Sequence, residues 1–285
     1  MKTIAIYHNK GGVGKTTTAV NLAAAFRNKG KKVLLIDIDA QANSTFATGL
    51  IKFQFEEDDN LKDKNVLQLI SSGEFDFIPD IVRSSNGFNN PEIDVIPSHI
   101  TLIDEQQRLT RFAASRLRLN TKLQQVEDNY DIVIIDAPPS RDLYAEIALI
   151  AADYLIIPSD LKPFANQGLS NVKNFVAEVN ETRSGIGKQP LEILGVLPSK
   201  VLTNTRYLEH VFPRQREAVV QRYALPVLNT VIYERIALSN CVNKTLTMGS
   251  LEIPDPKSIF EFDGDSDSVK EFRNLSYEVM QKFGA

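Results

Sequence analysis

Cysteine is almost missing from this chain: Cys241 stands alone among 285 residues. It cannot close an internal disulfide, which suits a reducing compartment, and it cannot furnish a multi-cysteine cluster from one chain. No apolar run approaches the length of a bilayer-spanning helix. An apolar strand pattern begins at Thr3, so no secretory signal is expected ahead of it. His8, His99 and His210 have no ligand spacing and read as structural or solvated. Repeats of 20–50 residues are missing too, which argues against a solenoid. A net charge of −4 excludes a chain that is basic throughout and leaves a local basic face open. With 43 % hydrophobic residues the chain can bury one large core, and a single domain over residues 1–285 is the expectation.

Short apolar runs alternate with amphipathic stretches. The runs are Thr3–Tyr7, Val33–Ile36, Ile93–Ile96, Ile132–Ile135, Tyr154–Ile157, Leu191–Leu197 and Val227–Ile232. Most are rich in Val and Ile without polar alternation, as in strands covered on both faces. Helical stretches such as Thr17–Phe26, Leu102–Glu127 and Gly168–Val179 lie between them. The alternation predicts an α/β fold with a doubly wound, mostly parallel sheet and helices on both faces. Lys52–Asn90 is the least regular part, with an acidic run Glu56-Glu57-Asp58-Asp59, and reads as surface helices and loops inserted between strands. Near the end, Val269, Phe272, Leu275, Val279 and Phe283 recur at helical spacing, which predicts a terminal helix docked on the core.

Between the first strand and first helix stands His8-Asn9-Lys10-Gly11-Gly12-Val13-Gly14-Lys15-Thr16-Thr17. Strand, glycine turn and helix together make a phosphate-binding loop. Gly11, Gly12 and Gly14 let the backbone bring its N–H groups close to phosphate oxygens, and the helix N-terminus adds partial positive charge. Lys15 would reach the β- and γ-phosphates, and the Thr16 hydroxyl would ligate Mg²⁺. Asn9 replaces the first glycine of the ordinary Walker A pattern, and Lys10 is a second lysine that the ordinary loop lacks.

Two strand ends carry acids. Val33–Ile36 runs into Asp37-Ile38-Asp39, where alternate residues share a face of an extended strand. One carboxylate there would hold a Mg²⁺-bound water and the other would orient the attacking water. Ile132–Ile135 runs into Asp136-Ala137-Pro138-Pro139, a Walker B pattern whose carboxylate contacts the Mg²⁺ shell. The prolines stiffen a turn near the γ-phosphate that can report its presence.

The Lys-Gly-Gly-Val-Gly-Lys-Thr-Thr loop, Asp37-Ile38-Asp39-Ala40-Gln41, Asp136-Ala137-Pro138-Pro139, Pro163-Phe164 and Gly195-Val196-Leu197-Pro198 together resemble the deviant Walker-box ATPases of the ParA/MinD family over nearly the whole chain. Ala40 departs from the proline usual there, which alters loop stiffness. The resemblance implies that Lys15 and the amides of Gly11, Gly12, Val13 and Gly14 bind the β/γ-phosphates of ATP. It implies that Thr16 ligates Mg²⁺, that Thr17 contacts the α-phosphate, and that Asp136 and Asp39 serve the metal site. Asp39 would orient the hydrolytic water. Lys10 would reach across an ATP-bound homodimer into the partner's nucleotide.

Charge is unevenly placed. Gly195–Ser250 carries Lys200, Arg206, Arg214, Arg216, Arg222, Arg235 and Lys244 against three acids. A second cluster, Arg108, Arg111, Arg116, Arg118 and Lys122, has no acid inside it. Such patches bind phosphate backbones without reading sequence. The first six residues of the late patch are the nucleic-acid-binding candidates. The resemblance implies a cytoplasmic, nucleoid-associated organiser that binds DNA non-specifically. A cargo-bound adaptor would stimulate hydrolysis, with a plasmid, a chromosome region or a carboxysome as cargo, as in short ParA or McdA-type proteins. The alternatives are a MinD-like membrane-cycling ATPase, which needs a more basic terminal helix, and a small-molecule ATP-dependent ligase of the same superfold. Lone Cys241 argues against an iron–sulfur carrier, which needs two thiolates per chain.

Overall fold

The computed structural model describes residues 1–51, 58–71, 78–248 and 251–283. Glu56 and Glu57 of the acidic run lie outside the described residues. The sheet strands are β1 (Lys2–Ile6), β2 (Val33–Asp37), β3 (Arg83–Ser84), β4 (Asp94–Ile96), β5 (Ile132–Asp136), β6 (Tyr154–Ser159) and β7 (Glu192–Pro198). They pair in the order β3-β4-β2-β5-β1-β6-β7, all parallel except β3, which runs antiparallel to β4 at the edge. Successive residues of each central strand feed opposite faces, and both faces are apolar. Ala5, Leu34, Ile36, Val133 and Ile135 pack into one core layer; Ile4, Ile6, Leu35, Ile132 and Ile134 pack into the other. Continuous apolar strands therefore need helices on both sides.

The first layer is covered by α3 (Val66–Ser71), α5 (Leu102–Thr110), α6 (Ser115–Gln124), α7 (Leu143–Ala151) and α8 (Pro163–Gly185). The second is covered by α1 (Lys15–Arg27), α11 (Ile236–Val242), α12 (Ile259–Phe262) and α13 (Asp267–Lys282). Short α2 (Asn43–Ala47) and α4 (Ile78–Ile81) follow β2 and precede β3, while α9 (Thr205–His210) and α10 (Phe212–Tyr223) follow β7. A hairpin of β8 (Thr245–Met248) and β9 (Leu251–Pro254) precedes α12.

Three sequence expectations are corrected. Val227–Ile232 is no strand: it meets β7 at the isolated Val196–Val227 bridge and again where the Ile232 amide donates to the Pro198 carbonyl at 2.9 Å, with no continuous ladder between. The Glu278 carboxylate of α13 takes the Asn229 and Thr230 amides at 2.7 and 2.8 Å and the Thr230 hydroxyl at 2.6 Å, so these donors are diverted from any ladder. Residues 102–127 form two helices, because the chain tightens into three-residue turns at Phe112 and Ser115. The 52–90 stretch is not all surface, since Phe88 is fully buried and its carbonyl receives the Ser258 amide at 2.7 Å. Glu271 of α13 belongs to the docked face: it accepts from the Tyr233 amide and from Arg235. Val269, Phe272, Leu275 and Val279 are buried as the spacing predicts.

Candidate functional site

Strands β1, β2, β5 and β7 deliver their carboxyl ends to one place, the crevice where open α/β sheets bind ligands. The loop after β1 turns through Gly12 at φ +75° and Gly14 at φ +89°. Only glycine adopts such angles without strain, and Gly14 then serves as the backbone entry to α1. Lys15 is buried, and its ammonium donates to the Lys10 carbonyl at 3.1 Å, so it is held back across its own loop. Burial lowers its pKa, while the Asp136 and Asp39 charges raise it.

Asp136 ends β5 beside the loop. Its Oδ2 accepts from the Thr16 hydroxyl at 2.8 Å and the Ser44 hydroxyl at 2.7 Å. Its Oδ1 is buried with no hydrogen-bond partner among the described residues. An unpartnered buried carboxylate oxygen beside a threonine hydroxyl is what a hard divalent cation with bound water would use, so the residues fit Mg²⁺. Burial raises the Asp136 pKa, and the Ser44 and Thr16 hydroxyls oppose the rise. Ser44 was not legible in the sequence, since it is 92 residues from Asp136 and sits on α2 with no motif of its own.

Asp37 and Asp39 part company. Strand β2 ends at Asp37, two residues short of Asp39, so the alternation of an extended strand does not reach Asp39. Asp37 is fully buried, accepting from the Thr45 amide and hydroxyl, both at 2.8 Å, and its pKa is raised by burial and then by Asp136. It is a scaffold residue and not a water ligand. Asp39 sits in a turn at the mouth of the site, its Oδ1 receiving the Gln41 amide at 3.0 Å and its carbonyl receiving the Ser98 hydroxyl at 2.7 Å.

Lys10 lies at the loop's edge, its ammonium 3.8 Å from Asp160 Oδ2. His8, two residues earlier, is fully buried, and its Nδ1 accepts from the Lys10 amide at 3.0 Å. Burial and the Lys15 charge hold its pKa down to about 4. An unfolded chain protonates this histidine below about 6.5, and the folded chain does not until about 4. His8 therefore withdraws stability as pH falls through that window, by about 2 kcal/mol at pH 5. Asp37 contributes the opposite slope, because its raised pKa favours folding at low pH. Urea midpoints of wild type and His8→Asn at pH 7 and pH 5 separate the two: the wild type is expected to lose more, and parallel losses would contradict the assignment.

Gly168 of α8 faces this corner, and a Cβ there would stand 2.7 Å from both the Asn9 Oδ1 and the His8 ring. Gly168→Ala is expected to shift the loop and raise the KM for ATP several-fold, read in a steady-state assay, whereas Gly185→Ala, where a Cβ meets nothing within 4 Å, should leave KM unchanged.

A cavity of about 310 Å³ opens beside Thr16 and Thr17, walled by Ser199, Lys200, Tyr233–Arg235 and α11. The late basic patch divides here. Lys200 donates to the Gly12 carbonyl at 3.2 Å, so it belongs to the loop and not to a remote nucleic-acid face. Arg235 is committed to Glu271 at 3.0 Å and Asp267 at 3.4 Å and lines the cavity. Arg216 donates to the Leu228 carbonyl and Asn229. Arg206, Arg214 and Arg222 remain exposed on α9 and α10. Arg214 and Arg222 line a groove of about 360 Å³ against α8. The middle cluster is largely structural. Arg118 caps α3 through the Ile70 and Ser71 carbonyls, Arg116 pairs with Glu146 at 2.9 Å, Arg108 pairs with Glu105, and Lys122 is buried.

Comparison of the sequence with known proteins gives a consistent set of relatives. The family described as an AAA domain matches residues 1–192. The virulence plasmid ParA family protein pGP5-D of Chlamydia psittaci is 30% identical, covering 99% of this chain and 95% of that one. The chromosome-partitioning ATPase Soj of Treponema pallidum is 29% identical over 99% of this chain and 98% of its own. A variant of Cyanothece McdA in complex with ATP superposes with a TM-score of 0.73 at 25% identity, covering 98% of this chain and 96% of that one.

Proposed function

The chain is a partitioning ATPase of the ParA family, and from that footing we propose that it acts as an ATP-switched homodimer that holds non-specific DNA and positions a cargo. The observation that carries this is the Thr16–Asp136–Ser44 cluster, with Asp136 and Ser44 buried, beside Lys15 inside the loop and a second cation, Lys10, at its edge. The Gly11–Gly14 amides and Lys15 bind the β- and γ-phosphates, and Thr17 takes the α-phosphate at the start of α1. Thr16 and the Asp136 oxygen would hold Mg²⁺, which when bound neutralises charge on the phosphate oxygens. Asp39, at the mouth, orients the attacking water. Charge developing on the γ-phosphate favours an added cation, and Lys10 supplies it to the partner's nucleotide after leaving Asp160. Two loaded protomers are then required for a full site, which makes ATP the assembly signal.

DNA binding rests on Arg206, Arg214 and Arg222, the arginines of the late patch that stay exposed. A dimer doubles such a patch and steepens its salt dependence. The nucleoid is its proposed location and a cargo-bound adaptor its proposed stimulator. Among the described residues no helix is long and apolar enough to cross a membrane. The membrane-cycling alternative finds no support in α13, whose apolar face is committed to the core.

An electrophoretic shift on random-sequence DNA with ATP, ADP and no nucleotide tests the reading. Binding with ATP alone is expected, weakened at least fivefold in Arg214→Ala/Arg222→Ala and by added salt. Lys10→Ala should still bind ATP as a monomer and show no ATP-driven dimer in light scattering. Equal DNA binding in all three nucleotide states would overturn the proposal.

A further inference from the structure

The end of β7 grips the phosphate loop from outside. The Ser199 hydroxyl donates to the Val13 carbonyl at 2.7 Å, and the Lys200 ammonium donates to the Gly12 carbonyl at 3.2 Å. The grip is built into the backbone. The Ser199 amide is pinned to the Ser159 carbonyl at 2.8 Å and the Val201 amide to the Ile232 carbonyl at 3.2 Å. Lys200 between them is held at φ +53°, a left-handed conformation that a lysine does not adopt by preference. A Cβ on Gly14 would lie 3.8 Å from Ser199 Cβ and 3.9 Å from Lys200 Cγ, so the two segments are in direct packing contact.

In a trans peptide the carbonyl and the following N–H point in opposite directions. With the Gly12 and Val13 carbonyls turned toward β7, the Val13 and Gly14 amides are turned the other way, to the anion side. A donor on a carbonyl also polarises the same peptide's N–H and strengthens it as a donor. We propose that Ser199 and Lys200 form a polarising clamp, with Lys200 a positioning residue that pre-sets the loop amides for the β-phosphate of the nucleotide. The proposal rests on the loop being the nucleotide's phosphate site and adds a residue of this chain to its machinery. It removes Lys200 from the DNA face, where charge counting along the sequence had put it.

The test compares Lys200→Met, Lys200→Arg and Ser199→Ala with wild type by calorimetric titration of ADP and of AMP, with DNA shift assays alongside. A clamp acting through the loop weakens ADP about five- to tenfold in Lys200→Met and leaves AMP nearly unchanged, so the ADP-to-AMP preference falls by that factor. Lys200→Arg restores most of it, because a guanidinium also donates to the carbonyl. Ser199→Ala shows the same differential at smaller size and carries the test if Lys200→Met does not fold. Equal weakening of ADP and AMP would indicate a base or ribose contact and overturn the clamp. So would unchanged nucleotide affinity with reduced DNA binding. A wild-type protein that prefers ADP over AMP by no margin at all would instead overturn the reading of the loop itself.

Discussion

Lys15→Met is expected to abolish ATP hydrolysis, lowering kcat at saturating Mg²⁺-ATP by at least about 10³-fold. The methionine fills nearly the same buried volume, so the loop keeps its packing and loses only the charge and its bond to the Lys10 carbonyl. The same substitution should leave the melting temperature unchanged or raise it. A buried ammonium is costly to desolvate, and burial already lowers the Lys15 pKa. Lost turnover with retained stability marks a residue placed for chemistry at the expense of the fold. Phosphate-release kinetics and a thermal melt on one preparation check both halves. A variant within tenfold of wild-type turnover would remove Lys15 from the catalytic role.

Arg183→Met is expected to do the reverse, destabilising the fold by roughly 3–5 kcal/mol without touching the site. Arg183 is 1% exposed and heads the large fully buried side chains among the described residues. Its guanidinium donates to the Leu149 and Ile150 carbonyls at 3.0 and 2.8 Å, to the Ala152 carbonyl, and to the Gln189 carbonyl at 2.8 and 2.6 Å. The last turn of α7 is thereby capped from α8 in place of a terminal glycine. Removing the fork leaves buried acceptors with no donor, which costs more than the charge costs to bury. Lysine cannot span these carbonyls as a planar fork, so Arg183→Lys should recover less than half of the loss. Urea midpoints give the magnitudes, and a melting shift of roughly 10 °C is the thermal counterpart for Arg183→Met. A loss below about 1 kcal/mol would mean that water or a backbone shift replaces the cap.

The sheet strands are legible in the sequence because both of their faces are buried, and an unbroken Val/Ile run records that directly. Only part of α8 is legible, and the break between α5 and α6 is not, because no proline or glycine marks the turn. β3 escaped because two residues carry no periodicity. The stretch 227–232 misled because it has strand composition, while Glu278, some fifty residues away, takes the amides a ladder would need.

Charge counting was the weakest guide. Seven cations in a window say nothing of where each side chain goes. Lys200 went to the loop, Arg235 to α13, Lys244 to Asp255 and Arg216 to a carbonyl, and three arginines remained on the surface.

The phosphate loop, the Asp136 strand end and the mostly parallel sheet were legible in the sequence alone, because each leaves a local pattern there: a glycine run before a helix, an acid closing an apolar run, and unbroken Val/Ile segments. Tertiary structure decided that Ser44 shares the Asp136 carboxylate, that Asp37 supports and Asp39 faces the mouth, and that β7 holds the loop from behind. It also decided which cations are spent inside the fold. These assignments join residues tens to nearly two hundred positions apart, and only packing can bring such distant groups within hydrogen-bond range.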